Sequence, residues 1–131
     1  MEYGKHLLLE VITKDGKDLA SVAKMKKFFN LIIKKVKFTV VFKPIFYKFK
    51  PRKKGEISGI TGMCVVSESH ISIHTWPECN YFAFDIFSCS EFDENKVIDI
   101  ISDLFDVKEI YSQIVERGLK INFKSRTKKS A

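Results

Sequence analysis

Cysteine is scarce in this 131-residue chain and odd in number: Cys64, Cys79 and Cys89 fall at no zinc-finger spacing. That excludes a disulfide framework as the basis of the fold, while leaving room for a single reactive thiol. Long apolar runs are also missing, because Lys or Arg interrupts each one within a few residues. No membrane-spanning segment is therefore expected. The opening Met1-Glu2-Tyr3-Gly4-Lys5-His6 lacks the h-region and small-residue cleavage site of a secretory signal, so a cytoplasmic location is expected. Acidic residues are absent from a whole stretch: none occurs between Asp18 and Glu56, where twelve Lys and Arg residues accumulate. A second basic cluster, Lys120, Lys124, Arg126, Lys128 and Lys129, lies near the C-terminus, and the formal net charge is +7. Such a balance attracts polyanions. Yet no nucleic-acid motif accompanies it, so a solvated basic face is the better account, with nucleic-acid or partner binding by a non-catalytic protein as the alternative.

What is present describes a globular protein. Hydrophobic residues make up 45%, aromatics 13% and charged residues 30%, enough to bury a core without metal or disulfide. No internal repeat or linker divides residues 1–131, so one domain is expected. Residues 5–13 read as a strand closed by the turn Lys14-Asp15-Gly16-Lys17. Apolar positions Leu19, Val22, Met25, Phe29, Ile32 and Ile33 predict one amphipathic helix over 18–36. Strands are predicted at 38–49, with Pro44 at an edge or bulge, then at 57–66, 71–76 and 81–88. A helix over 93–105 and a strand over 109–115 complete the order β-α-β-β-β-β-α-β. This is an α+β fold, a two-layer sandwich with an antiparallel sheet and helices on one face.

Chemistry-bearing residues concentrate between Gly59 and Cys89. In a strand, residues four apart share a face, so His70 and His74 point the same way. A zinc site could draw on His6, His70, His74 and Cys89, but no closed ligand set at familiar spacing is present. A hydrolase could pair Ser69 or Cys89 with His74, but the Gly-x-Ser-x-Gly elbow is missing. Taken singly, these residues are better explained as ordinary strand and turn residues.

As a contiguous run they carry more. Ser67-Glu68-Ser69-His70-Ile71-Ser72-Ile73-His74-Thr75-Trp76-Pro77-Glu78, followed by Asp85-Ile86-Phe87-Ser88-Cys89, closely resembles the signature of the small prokaryotic S-adenosylmethionine decarboxylases. Gly4-Lys5-His6-Leu7 and Gly59-Ile60-Thr61-Gly62 look like the same family. The resemblance implies a proenzyme whose Ser69 attacks the carbonyl of Glu68, breaking the chain into a β chain, 1–68, and an α chain, 69–131. Ser69 would become a pyruvoyl group that forms a Schiff base with the substrate amine and serves as an electron sink, with no metal. His74 would accept the Ser69 α-proton during processing, and Cys89 would return a proton to the product carbanion, a task a thiol suits. Thr61 matches a hydroxyl that assists processing, and a strand threonine packing its methyl explains it equally. Phe49 matches an adenine-stacking aromatic, and Glu78 is either a ribose or sulfonium contact or a surface carboxylate. Ser90 stands where a glycine commonly follows the cysteine. The implied reaction is decarboxylation of S-adenosylmethionine to the aminopropyl donor of spermidine synthesis, in a homodimer of αβ protomers completing one another's sites. Arginine or ornithine decarboxylation on the same scaffold is the alternative.

Overall fold

A computed structural model describes residues 3–121 of the chain. Six strands form one antiparallel sheet: β1 (Gly4–Thr13), β2 (Val40–Phe49), β3 (Gly59–Val66), β4 (Ser69–Trp76), β5 (Tyr81–Ser88) and β6 (Val107–Arg117), in spatial order β2-β3-β4-β5-β1-β6. Helices α1 (Val22–Val36) and α2 (Glu94–Leu104) cover one face. The expected α+β two-layer architecture is the observed one.

Strict alternation builds this arrangement. Leu7, Leu9 and Val11 of β1, Ile71 and Ile73 of β4, and Phe82, Phe84 and Ile86 of β5 are all buried, because every second side chain points to the helices. The helices return Met25, Phe28, Phe29, Ile32, Val97, Ile100 and Ile101 to the same core. Phe28 is its hub, with ring centroids 4.7 Å from Phe84, 5.3 Å from Phe105 and 6.0 Å from Phe29. The intervening residues, among them His6, Leu8, His70, His74 and Asp85, lie on the opposite face, which no described element covers.

Three local departures from the sequence expectations have simple causes. The helix expected over 18–36 is divided, because Ser21 takes an extended conformation and its Oγ accepts the Lys24 N–H at 3.1 Å. A short 3-10 turn, Lys17–Ala20, precedes this N-cap. The strand expected from residue 38 starts at Val40 and forms the sheet edge, with register shifts on both sides of Phe42. Pro44 sits in that irregular stretch, as the missing N–H requires. Phe42, Ile45 and Tyr47 of β2 are exposed, while Phe46 reaches inward, 4.9 Å from the Phe29 ring. Third, β4 begins at Ser69, leaving only Ser67 and Glu68 in the connection with β3.

The lysines of the acid-free stretch are distributed over solvent: Lys26, Lys27, Lys34, Lys35 and Lys37 are exposed on α1 and its C-cap. Of the C-terminal basic cluster, Lys120 is described and the rest lies outside the described residues. No described helix is long and apolar enough to cross a membrane. Cys64, Cys79 and Cys89 are all free.

Candidate active site

The connection between β3 and β4 is held from two sides. Ser67 donates its N–H to the Thr39 carbonyl at 2.8 Å, and the Glu68 carboxylate accepts the Thr39 N–H at 3.0 Å. The Glu68 carbonyl accepts the backbone N–H of Cys89, at 3.0 Å, from the end of β5. Ser69 follows with φ 154°, a backbone state that L-residues rarely adopt and that costs of order 1–3 kcal/mol. Strain is thus stored at the junction whose carbonyl is already polarised by a donor. Ser69 is half-buried and Cys89 exposed. The turn after Cys89 is closed by Ser88 and Ser90, with the Ser90 N–H 3.0 Å from Ser88 Oγ and the Ser88 hydroxyl 2.9 Å from the Ser90 carbonyl. The Ser90 Oγ also lies 3.0 Å from Ser88 Oγ, so the side chain in place of glycine takes part in that turn's hydrogen bonding.

The other site residues gather at the far end of β4. Thr61 pairs with His74 across the β3–β4 ladder, and Thr61 Oγ1 lies 2.8 Å from His74 Nδ1. Phe49 stacks on the His74 ring at 5.4 Å and 27°, and the Trp76 ring lies 4.2 Å from it, tilted by 59°. Desolvation by these rings holds the imidazole below its ordinary pKa of 6.5. Glu78, in the turn Pro77–Cys79, accepts from the Ser58 N–H at 2.8 Å and the Ser58 hydroxyl at 2.6 Å. Those two bonds stabilise its carboxylate and lower its pKa. Ser69 and His74 are five positions apart on one strand, about 16 Å of extended chain. A single chain therefore presents two groups of site residues at opposite ends of β4: Glu68, Ser69 and Cys89 at one, Phe49, Thr61, His74 and Glu78 at the other.

A third group matches the sequence expectation only in part. His6 and His70 do come together, but with Asp85 in place of His74 and Cys89. His6 Nε2 is 2.7 Å and His70 Nε2 3.3 Å from the same Asp85 Oδ2, and the Ser72 hydroxyl donates to Oδ1. Among the described residues this is the one His, Cys and carboxylate group whose ligand atoms lie within 4.8 Å of one another. Asp85 opens the second part of the sequence motif, which by itself implies no role for it. Period-two alternation combined with β4–β5 pairing, in which Ser72 opposes Asp85, was the signal that could have found it.

Cys64 and Cys79 take no part in these groups. Cys64 is buried with its thiol 3.3 Å from the Phe42 carbonyl, and burial pushes its pKa up. Cys79 is exposed beside Glu78. A depression of about 400 Å³ on the open face is lined by Glu10, Tyr81, Asp85 and Tyr111 among others, and touches none of Ser69, His74 and Cys89.

Comparison with known proteins identifies the family and agrees with the fold. A model of the S-adenosylmethionine decarboxylase family matches residues 5–118. The S-adenosylmethionine decarboxylase proenzyme of Pyrococcus furiosus is 35% identical over 118 residues, covering 89% of this chain and 80% of that protein. The proenzyme of Clostridium kluyveri is 30% identical over 120 residues, covering 90% and 89%. The crystal structure of the adenosylmethionine decarboxylase from Aquifex aeolicus superposes with a TM-score of 0.76 at 28% identity, covering 89% of this chain and 92% of that one. Family match and fold together place the protein among the decarboxylases. The chain belongs to the S-adenosylmethionine decarboxylase family.

Proposed function

We propose that the chain cuts itself between Glu68 and Ser69 and that the resulting α chain, 69–131, with Ser69 converted to a pyruvoyl group, decarboxylates S-adenosylmethionine. The observation that carries this reading is the junction itself. Ser69 is held at φ 154° immediately after a carbonyl that accepts the Cys89 N–H, so ground-state strain and a donor aimed at the developing oxyanion coincide at one peptide bond. When formed, a pyruvoyl group supplies an electron sink for the electrons left by departing carbon dioxide. The Cys89 side chain, exposed beside the Ser69 end of β4, is placed to return a proton to the product. Phe49 and His74 offer aromatic faces to an adenine, and Glu78 offers a carboxylate held ionised by Ser58.

The working unit is a two-fold dimer of αβ protomers. One chain cannot bring Ser69 and Cys89 to the same substrate as Phe49, Thr61, His74 and Glu78, because these groups occupy opposite ends of β4. Opposing the open faces of two sheets about a two-fold axis sets the start of one β4 beside the end of the other. His74 of the partner subunit is then the imidazole that takes the Ser69 α-proton. Leu8, Met63 and Val65 on the open face, 36%, 44% and 38% exposed, supply apolar surface for that contact. Free thiols throughout fit a reducing, cytoplasmic setting.

The test is intact-mass spectrometry of the purified protein, with carbon dioxide release from carboxyl-labelled S-adenosylmethionine, arginine and ornithine measured side by side. Two chains broken after Glu68, a ketone at the new N-terminus and release from S-adenosylmethionine alone are expected. Release from arginine or ornithine would withdraw Phe49 and Glu78 as substrate contacts. Full turnover by an uncut chain would overturn the reading.

A further inference from the structure

Chain cleavage at Ser69 begins with a proton leaving the serine hydroxyl; the same chain's His74 stands too far along β4 to receive it, and His74 of the partner subunit is already assigned the later removal of the Ser69 α-proton. We propose that His70 is the catalytic base for this first step and that Asp85 and His6 are its positioning residues, an inference that rests on the cleavage reading above. His70 Nδ1 lies 3.4 Å from Ser69 Oγ, and His70 Nε2 lies 3.3 Å from Asp85 Oδ2. An ionised carboxylate only accepts, so the ring nitrogen facing it carries the hydrogen. Asp85 thereby fixes the Nε2–H tautomer of His70 and leaves Nδ1 unprotonated, with its lone pair toward the hydroxyl. Serine, imidazole and carboxylate stand in the order used by nucleophilic hydrolases, with the roles of the two ring nitrogens exchanged.

The rest of the cluster holds Asp85 in place. His6 Nε2 lies 2.7 Å from the same Oδ2, and the Ser72 hydroxyl donates to Oδ1. Phe87 supports both imidazoles, its ring 5.4 Å from His6 and 5.9 Å from His70, with the Arg117 guanidinium 4.1 Å from its centroid. Asp85 is the carboxylate that compensates His70 while the ring holds a proton.

The step balances within the chain. The hydroxyl proton passes to His70 Nδ1 as Ser69 Oγ bonds to the Glu68 carbonyl carbon, and charge grows on the oxygen that faces the Cys89 N–H. Collapse breaks the bond between that carbon and the Ser69 nitrogen, which takes the proton back from His70 Nδ1. The products are an ester between Glu68 and Ser69 Oγ and a free amine on Ser69. A cation bridging His6, His70 and Asp85 would use the same three ligand atoms, but a metal on His70 Nε2 leaves Nδ1 protonated and unable to act as a base.

The experiment follows loss of the full-length chain during cell-free synthesis, with and without hydroxylamine, which cleaves esters and leaves amides. His70→Ala is expected to slow chain loss about 100-fold or more, with no cleavage by hydroxylamine and partial recovery on adding imidazole. His74→Ala, in contrast, is expected to accumulate the ester and be cut by hydroxylamine. Asp85→Asn should slow processing roughly tenfold or more, with partial recovery in Asp85→Glu, while chelation of divalent ions leaves the wild-type rate unchanged. Normal processing by His70→Ala would overturn the inference, as would hydroxylamine cleavage of it comparable to that of His74→Ala. Failure of imidazole to restore any cleavage, or a requirement for a divalent ion, would overturn it too. Cleavage of Ser69→Ala would instead remove the underlying reading of the junction.

Discussion

Thr61 and His74 face each other across the β3–β4 ladder with Oγ1 and Nδ1 2.8 Å apart. The threonine hydroxyl therefore has an imidazole as its hydrogen-bond partner. Replacing Thr61 by Val keeps the shape and removes this bond, worth about 1 kcal/mol. Processing is expected to slow roughly fivefold and to recover in Thr61→Ser; timed gel analysis of chain cleavage checks both, and an unchanged rate in Thr61→Val would return Thr61 to a packing role.

Desolvation of His74 sets a direction for pH. Its pKa lies below 6.5, so the ring stays neutral, and competent as a base, further into acid than an ordinary histidine. The acid limb of the elimination step is expected below pH 6.5, and NMR titration of the His74 Cε1–H should show its midpoint there. The sign for stability follows: burial favours the neutral ring, so this contribution is complete above the unfolded pKa and is lost as pH falls through the folded one. A midpoint above 6.5 would refute the desolvation argument.

Removing an aromatic face tests the proposed adenine platform. Phe49→Ala takes one ring from the stack on His74, a loss of about 0.5–1.5 kcal/mol. KM for S-adenosylmethionine is expected to rise about 2- to 12-fold, with kcat changed far less, in steady-state assays of the processed enzyme. Unaltered KM would place adenine elsewhere.

Cys89 contributes its backbone N–H to the junction and, in the proposed mechanism, its thiol to turnover, and one substitution separates the two. Cys89→Ala keeps the N–H that contacts Glu68, so the chain is expected to be cut. Formation of the decarboxylated amine should fall by about 100-fold or more, as measured by chromatography of the products. Normal product yield would take the thiol out of the mechanism.

In the core, Phe28 is fully buried against Phe29, Phe82, Phe84 and Phe105. Phe28→Ala is expected to destabilise the fold by about 3–5 kcal/mol, read as a lower denaturant midpoint. A change below 1 kcal/mol would mean the ring cluster repacks freely.

The sequence made the two layers legible because alternation in β1, β4 and β5 is nearly unbroken and the helical faces of Phe28, Phe29 and Ile32 are wide. It concealed the break at Ser21, where the apolar rhythm runs on through a residue that terminates one turn and caps the next. Ser69 and Cys89 were legible through a contiguous motif. The grouping of His6, His70 and Asp85 was not, since it depends on which strands become neighbours: β1 joins β5 after 67 intervening residues. Nor did linear order reveal that Ser69 and His74, close in number, are held apart by extended chain.

The strand order bears on what a severed backbone would do. Residues 1–68 supply β1, β2 and β3, while residues 69–131 supply β4, β5 and β6, yet β1 lies between β5 and β6 and β3 lies against β4. The two pieces are interlaced like clasped fingers, sharing three ladders, and neither has a complete sheet of its own. A cut after Glu68 would thus free a chain end for chemistry without freeing a subunit, and the broken molecule would remain one body.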